Sequence, residues 1–457
     1  MNEPSAGQPA AGPRKRRAPK PRMPSRFRDD TTSDLGFTDQ AMEQVAVNRA
    51  LDLALRIGEL LLGNGASSLD TVLGMRTVTR AAGLRGAQVD ITLTTIMISY
   101  QGSIDQVPVT RVHYVPHRDL DYSVLERIEQ ILRDLRAGRT SLAGARLRVD
   151  DTYNRPGRYP QWVRMLATVV MGAGVGWLLG GSWLVILIAG IAAALIEMIT
   201  EFFQRSGIPR FFSYVTGGFL ATVAAALLRF AAPSHSSSLL IAAMIIVLLA
   251  GMTIVTAVQD ALVGYLVTSG ARGLDAALTT IGIVAGVALG LGVANHLGVV
   301  MAVASYTPPN LSDLFTGIPA AALVVVGFAV SCSLPRRGWA AVAALGSLGT
   351  AVSVIAAQSG SLFGVAAGAV AIGLVAAPLA DWLRLPTLIL IIPALVPLLP
   401  GLRLYRGLYL LSQGYIDGWA RVVEAVSIAI ALAAGVLLGE YLASPLRRLT
   451  TRKLSIT

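Results

Sequence analysis

Residues 249–290 read LAGMTIVTAVQDALVGYLVTSGARGLDAALTTIGIVAGVALG, and residues 399–439 read LPGLRLYRGLYLLSQGYIDGWARVVEAVSIAIALAAGVLLG. Each stretch opens on Leu-x-Gly, continues through Gly-Tyr and Ala-Arg-x-x-acid-Ala, and closes on Gly-x-x-x-Gly. In both, a long apolar run breaks at a glycine, passes through a polar segment and returns to an apolar run. Internal repeats of this kind are typical of secondary transporters, in which two related halves surround one substrate site.

The two copies stay in register over their whole length. Gly264 and Gly414 are 150 positions apart, and Arg272 and Arg421 are 149 positions apart. One single-residue adjustment therefore aligns every shared position, which predicts a duplicated structural unit.

The composition predicts a membrane protein. Hydrophobic residues make up 54% of the chain, charged residues only 14%, and the mean hydropathy is +0.61. Soluble domains carry about 25% charged residues, so much of this chain must face lipid. The net charge of +11 is explained by basic tails and loops beside anionic lipid, and we predict no nucleic-acid partner. The single cysteine, Cys332, predicts no intrachain disulfide, and no motif predicts a metal or a cofactor.

Charged residues are concentrated before residue 160, which predicts a soluble part followed by a membrane part. The fold class predicted is an α-helical polytopic membrane protein with an N-terminal cytoplasmic α/β domain. Its parts are a disordered basic tail over 1–37, the α/β domain over 38–157, a first five-helix membrane repeat over 160–296, a second over 310–444 and a cytoplasmic tail over 445–457.

The soluble part contains a helix-start motif. Gly65 ends one helix, and Ser67 with Asp70 forms a capping box at the start of the next. Ser67 and Asp70, together with Asp90 and two histidines, contain the groups of a nucleophile, a base and an acid. No nucleophile elbow surrounds the serine, so we predict no catalytic residue and no enzyme.

Two strands and a helix follow this motif. The β-branched stretch from Asp90 through Thr92 to Tyr100 predicts one strand with a bulge at residues 94–95. A second strand is predicted over 109–115, and a helix with an apolar stripe follows it.

Ten apolar segments are predicted to cross the bilayer, each needing about 20 residues. They cover 162–181, 183–203, 211–230, 237–258, 274–294, 317–334, 338–357, 361–380, 385–400 and 420–443. Most of the basic residues between them fall on the side of the soluble part, which places that part and both termini in the cytoplasm. Five spans per copy is an odd number, so the second copy enters from the opposite side and the repeats are inverted.

The soluble part resembles the threonine/serine exporter (ThrE) family. The resemblance rests on LLGNGASS at 61–68, Gly83-Leu84, the strand after Asp90, Asp121-Tyr122-Ser123 and Arg-Ala-Gly at 136–138. The order of parts also matches that family over nearly the whole chain. The resemblance implies export of threonine and serine across the cytoplasmic membrane, driven by protons, whereas composition and spacing predict only a secondary transporter.

Two alternatives stay open at this point. One is an exporter of small dicarboxylates such as succinate, because similar proteins are associated with that activity. The other is a membrane-anchored enzyme or sensor that acts through the soluble part. The oligomeric state, including a homo-oligomer, also stays open.

Ionisable and polar groups inside or beside spans are candidates for the substrate and proton path, since they are costly in lipid. The candidates are Glu197, Glu201, Gln259, Asp260, Asp275, Pro400, Gly401, Gln413, Asp417 and Glu424. Glu197 is preferred as the proton-coupling carboxylate because it lies deepest in its span, and Asp260 is second. The soluble-part candidates are Gly65, Ser67, Asp70, Asp90 and Thr92.

Several of these residues also have a structural interpretation. Asp275 would pair with Arg272 and Glu424 with Arg421, since residues three apart share a helix face. Asp381 is predicted to be a surface residue in a loop. Residues 393–401, which contain three prolines and Gly401, predict a discontinuous ninth span, with its counterpart at the Gly251 break. The small residues at 285–290 and 434–439 predict close helix packing.

Overall fold

The computed structural model describes residues 30–115, 120–155, 157–232, 237–248, 250–299 and 311–454. The chain divides into two compact units, residues 1–49 and residues 50–457. Of the first unit, the structure describes the beginning of helix α1 (Asp30–Gly63). The helix therefore begins inside the predicted tail 1–37, and the rest of that tail lies outside the described residues.

Residues 50–155, the sheet-containing region, combine four helical segments with one sheet. After α1 come α2 (Ser68–Ala81), β1 (Gln88–Thr92), β2 (Thr95–Tyr100), β3 (Val109–Tyr114), α3 (Tyr122–Arg136) and α4 (Leu142–Asn154). The strands form an antiparallel sheet in the order β1-β2-β3. Its core includes Met75, Ile96, Ile98 and Ile128, none more than 1% exposed.

The strand predicted from Asp90 to Tyr100 is instead a hairpin. Thr92 pairs with Thr95, and Leu93 adopts a positive φ of 48° in the turn between them. The slip in alternation that predicted a bulge therefore marks a chain reversal. The strand predicted over 109–115 is confirmed as β3.

Twelve further helices, which we call the helix bundle, lie between residues 161 and 454 of the described chain. They are α5 (Gln161–Leu178), α6 (Trp183–Arg205), α7 (Arg210–Ala231), α8 (Ser237–Val247), α9 (Ala250–Leu262), α10 (Leu266–His296), α11 (Leu314–Ser331), α12 (Trp339–Ala356), α13 (Ser361–Leu383), α14 (Leu388–Leu395), α15 (Gly401–Ser412) and α16 (Gly418–Leu454). Helix α16 runs on into the predicted C-terminal tail 445–457.

Seven of the described helical segments are long and apolar enough to cross a membrane. They include α6, α7, α10, α11, α12, α13 and the part of α16 up to Ser444. The protein is therefore a multi-pass membrane protein. The other three predicted spans coincide with the 18-residue α5 and with helices that are interrupted or shorter.

The interruptions occur in the two spans that contain the repeated glycine. In the fourth predicted span, α8 ends at Val247 and α9 begins at Ala250, so Gly251 lies inside α9. In the ninth, α14 passes through a 3-10 turn to Leu399, whose backbone is extended, before α15 begins at Gly401. The fourth predicted span is therefore a pair of short helices, and the discontinuity predicted around residues 393–401 is confirmed, with α15 beginning after the predicted end of the ninth span.

The same turn follows the short helix in each copy. Gly264 has φ 96° and Gly414 has φ 80°, a region that favours glycine. The N–H of Tyr265 donates to the Asp260 carbonyl at 2.8 Å, and the N–H of Tyr415 donates to the Leu410 carbonyl at 2.9 Å. This six-to-one bond is the C-terminal helix cap that glycine makes possible.

Small residues bring long helices together in both copies. A Cβ on Gly286 of α10 would lie 2.0 Å from the Val215 carbonyl oxygen of α7, and one on Gly439 of α16 would lie 2.4 Å from the Val370 carbonyl oxygen of α13. The predicted close-packing role of 285–290 and 434–439 is confirmed.

The sheet-containing region packs against one end of the helix bundle. The Tyr122 N–H donates to the Cys332 carbonyl at 2.8 Å, after α11, and Arg337 contacts the Glu126 carboxylate at 2.5 Å, before α12. Thr268, in the first turn of α10, donates to the Ile91 carbonyl at 3.1 Å. This end therefore holds the start of α10, the end of α11 and the start of α12.

Candidate functional site

A cavity of about 390 Å³ lies between the sheet-containing region and the helix bundle. Its wall combines residues of α2 and α3 with residues of α9, α13, α14 and α16. Five carboxylate side chains line it: Asp70, Glu129, Asp260, Asp381 and Glu440. The volume falls in the range of about 300–1,000 Å³ typical of small-molecule sites.

The start of α2 forms one part of the wall. Gly65 has φ 94° in the turn before this helix. The Asp70 N–H donates to Ser67 Oγ at 3.0 Å, and the Ser67 hydroxyl donates to Asp70 Oδ2 at 2.8 Å. Ser67 therefore caps the helix as predicted, although Asp70 reaches the hydroxyl rather than the backbone N–H.

Asp70 lines the cavity and is exposed to it. The protein packed around its carboxyl raises the pKa of this group, the Ser67 hydroxyl opposes the rise, and the negative charges of Glu129 and Asp260 add to it.

Helix α3 supplies the basic residues of the wall. Arg133 pairs with Glu129 at 3.0 Å and also donates to the Leu385 carbonyl at 3.1 Å. Arg136 lies 3.8 Å from the same Glu129 carboxylate. These contacts hold α3 against the loop between α13 and α14.

The most buried of the lining carboxylates is Asp260, which is 2% exposed, and it pairs with Arg272, which is 9% exposed and lies outside the lining. Asp260 lies in the last turn of α9, and Arg272 lies in the second turn of α10, across the Gly264 turn. Arg272 Nη1 is 2.8 Å from Asp260 Oδ2. The Nε of Arg272 is buried and has no hydrogen-bond partner among the described residues.

This pairing corrects one prediction. Arg272 was expected to pair with Asp275 on its own helix, but Asp275 is exposed and the ion pair joins α10 to α9. Residues 260 and 272 face each other because the Gly264 turn folds the two helices against one another. The spacing of residues along one helix cannot predict a contact between two helices.

A second charge cluster joins the corresponding helices of the other copy. Glu424 of α16 lies 3.2 Å from Arg421, as predicted, and 3.4 Å from Arg403 of α15. Arg403 is 9% exposed. The acid and the base have exchanged places: the short helix carries the acid in the first copy and the base in the second.

The other predicted membrane residues lie away from the cavity. Glu197 is exposed on the surface of α6, and Glu201 pairs with Arg205 at 2.5 Å. Gln413 and Asp417 are exposed around the turn between α15 and α16. The structure therefore does not bring these four residues together with Asp260.

Of the remaining candidates, Gln259 lines the cavity beside Asp260. Pro400 and Gly401 are buried at the start of α15 and mark the helix interruption. Asp90 and Thr92 are exposed on β1 and do not line the cavity.

Sequence reasoning missed or misplaced three of the carboxylates that line the cavity. Asp381 was assigned to a surface loop because of Pro378, but α13 continues through that proline to Leu383. Glu440 is an acid inside an apolar stretch, a signal that marks functional candidates in membrane proteins. Glu129 belongs to a soluble helix and gave no such signal.

A larger cleft of about 790 Å³ lies within the sheet-containing region. Its charges are largely paired with one another: Arg56 contacts Asp150 at 2.5 Å, and His113 contacts Glu59 at 3.0 Å. The smaller cavity reaches the helix bundle and contains the buried carboxylate of Asp260, so it is the better candidate site for a membrane protein.

Two family models match most of the chain. One, described as "Putative threonine/serine exporter", matches residues 52–294, and the other, "Threonine/Serine exporter, ThrE", matches residues 318–442. No solved structure matches the chain significantly.

Two relatives are similar over most of their length. A "Threonine/serine exporter" of Corynebacterium glutamicum is 38% identical over 87% of this chain and 83% of its own. A "Probable threonine/serine exporter" of Mycobacterium tuberculosis is 32% identical over 90% of this chain and 79% of its own. The two family models and these two relatives show that this multi-pass membrane protein belongs to the threonine/serine exporter family.

Proposed function

We propose that this protein exports threonine and serine across the cytoplasmic membrane and that the inward proton gradient drives the export. Family membership and the names of the two relatives support an amino-acid exporter. The cavity between the sheet-containing region and the helix bundle is the observation that carries the proposal, and we assign it as the site that receives substrate from the cytoplasm.

The charges of the cavity fit an amino acid better than a small dicarboxylate. Five carboxylates line it, against two arginines, Arg133 and Arg136. An ammonium group gains favourable electrostatic energy beside carboxylates, whereas a dicarboxylate would bring like charges together. Succinate therefore fits this site less well than threonine.

Export would be coupled to the proton gradient because a proton and the substrate ammonium compete for the same carboxylate. An ammonium ion binds only to the ionised carboxylate, and a proton neutralises the same group. An exporter of this design would release substrate outside when a proton takes its place and would return protonated to the inside. Of the five lining carboxylates we favour Asp260, because it is the most buried of them.

We also propose that the two copies are inverted repeats of five spans, residues 160–296 and 310–444, behind a cytoplasmic domain over 38–157. Helix α10 begins at the sheet-containing end, since Thr268 contacts Ile91 there. Helix α16 approaches that end late, since its residue Glu440 lines the cavity. These two contacts support opposite directions for the long helices of the two copies, which is what inversion requires.

An efflux assay tests the proposed function. Cells with and without the protein are loaded with threonine- or serine-containing dipeptides, and the release of threonine, serine and succinate is measured. We expect faster threonine and serine release with the protein, abolished by an uncoupler. Equal amino-acid release with and without the protein, or faster release of succinate alone, would refute the proposal.

A further inference from the structure

The pair of Asp260 and Arg272 has no exact counterpart in the second copy, where Arg403 and Glu424 join the short helix to the long one instead. The turn that follows Asp260 is repeated 150 positions later, where Leu410 takes the place of Asp260. Arg421, the counterpart of Arg272, contacts an acid of its own helix instead. Both copies therefore have an ion pair between these helices, but of the two acids only Asp260 lines the cavity.

The geometry points to a different role, and it rests on the proposed function. We propose that Asp260 and Arg272 bind the two charged ends of an α-amino acid. The substrate ammonium would donate to the Asp260 carboxylate, and the substrate carboxylate would accept hydrogen bonds from the Arg272 guanidinium.

The free donor of Arg272 supports this assignment. Its Nε is buried with no hydrogen-bond partner within the described part of the chain, although Nη1 contacts Asp260. Buried polar atoms are generally hydrogen-bonded, so this donor has the capacity to bond a substrate atom. A guanidinium presents Nε and Nη donors side by side, in the fork that matches a carboxylate.

On binding, the ion pair between Asp260 and Arg272 would be replaced by two ion pairs, one between each residue and the substrate. A lone charge brought between Asp260 and Arg272 would leave one of them unpaired in a buried place, which is costly. A zwitterion brings both charges, so each residue gains a new partner and the net charge of the site does not change. The site therefore selects molecules that carry an ammonium and a carboxylate together.

The position of the pair also links binding to movement. Asp260 lines the cavity, whereas Arg272 does not. A substrate can therefore reach Arg272 only when Asp260 moves aside, which separates α9 from α10. Thr268, one helical turn before Arg272, connects the same stretch of α10 to β1.

Binding to the purified full-length protein tests this assignment. Calorimetry would compare threonine with 2,3-dihydroxybutyrate, which replaces the ammonium by a hydroxyl, and with threoninol, which replaces the carboxylate by a hydroxymethyl group. We expect the wild type to prefer threonine over each analogue by about tenfold or more, as loss of one charged hydrogen-bonding group predicts.

Each variant should lose one preference only. Asp260→Asn should bind threonine and dihydroxybutyrate equally but still prefer threonine over threoninol. Arg272→Gln should show the reverse pattern. Asp134→Asn is the matched control, because Asp134 also pairs with arginines, Arg139 and Arg148, but does not line the cavity, and it should keep both preferences.

If a single variant does not fold, the double variant Asp260→Asn with Arg272→Gln replaces it in the test. The double variant removes both charges, so it leaves no unpaired charge in the buried site. It should lose both preferences. Retention of either preference in the double variant, or of both in the single variants, would overturn the assignment. Threonine export by the wild type is measured separately in cells. If the wild type exports threonine but the variants keep both binding preferences, the binding site assigned here is wrong and the proposed function still stands.

Discussion

The hydroxyl of Ser67 bonds both the backbone N–H and the carboxylate of Asp70, at 3.0 Å and 2.8 Å. It satisfies a donor that the first turn of α2 leaves free, which is how such residues stabilise helix starts. Ser67 also lines the cavity, so a substrate in the cavity would meet the same hydroxyl that caps the helix.

Replacement of this hydroxyl separates the two roles. We expect Ser67→Ala to lower the free energy of unfolding by about 1 kcal/mol, because the cap is lost, and Ser67→Thr to keep most of it. Thermal unfolding of the purified protein measures the difference. Unchanged stability combined with complete loss of export in Ser67→Ala would show instead that the hydroxyl acts on the substrate.

Glu197 and Asp260 are the two candidates for the carboxylate that couples export to protons. The position of Glu197 deep within its predicted membrane span favours that residue. In the structure, however, Glu197 is exposed on α6, whereas Asp260 is buried beside the cavity. We therefore expect Glu197→Gln to export threonine against a gradient at the wild-type rate across a range of external pH. Asp260→Asn should lose this uphill export, since it cannot alternate between a proton and an ammonium.

Uphill export in energised cells measures both variants, with membrane levels compared by immunoblot. Loss of uphill export in Glu197→Gln alone would return the assignment to the carboxylate that the sequence favours. The two variants are matched, because each replaces one acid by its amide.

Helix packing is decided by backbone approach at a few positions. Gly286 lies so close to the Val215 carbonyl of α7 that no side chain fits without separation of the helices. Gly292, two turns further along α10, has no atom within 4 Å of an added Cβ.

These two glycines form a matched pair for mutation. We expect Gly286→Leu to destabilise the protein by about 1–3 kcal/mol or more, as overpacking does, and to lower its amount in the membrane. Gly292→Leu should have little effect. Thermal unfolding in detergent measures both, and equal stability of the two variants would contradict the close packing of α7 and α10.

At the scale of the whole molecule, topology is the property to test. The positive-inside rule and the position of the sheet-containing region support a cytoplasmic C-terminus and an outer turn between α15 and α16. Asp417→Cys, in that exposed turn, should react with an impermeant thiol reagent in intact cells, whereas Ser455→Cys should not. The native Cys332 is 5% exposed and should stay unreactive in both.

Labelling is measured on intact and permeabilised cells. Ser455→Cys should become reactive only after permeabilisation, which controls for a buried thiol. Reaction of Ser455→Cys in intact cells, or protection of Asp417→Cys, would contradict the topology.

Much of the architecture follows from local features of the sequence. Apolar runs predicted the seven membrane-length helices, and the repeated Gly-Tyr pairs marked two turns with the same hydrogen bonds. The cap at Ser67 and the small residues of α10 and α16 were also recognised. Hydrophobicity, helix caps and positive-φ turns act over a few neighbouring residues, so a single sequence contains their signals.

The cavity and its ion pair depend on contacts that no local pattern contains. Asp70, Asp260 and Glu440 line one space although up to 370 positions separate them. Arg272 pairs with Asp260 rather than with Asp275, since the Gly264 turn brings α9 against α10 and leaves Asp275 exposed. The sequence by itself determined a multi-pass membrane protein with a repeated Gly-Tyr turn and with its charges concentrated near the N-terminus. Only the tertiary structure decided which of its charges meet, because helix packing and loop docking, rather than spacing along the chain, set the distances over which charges interact.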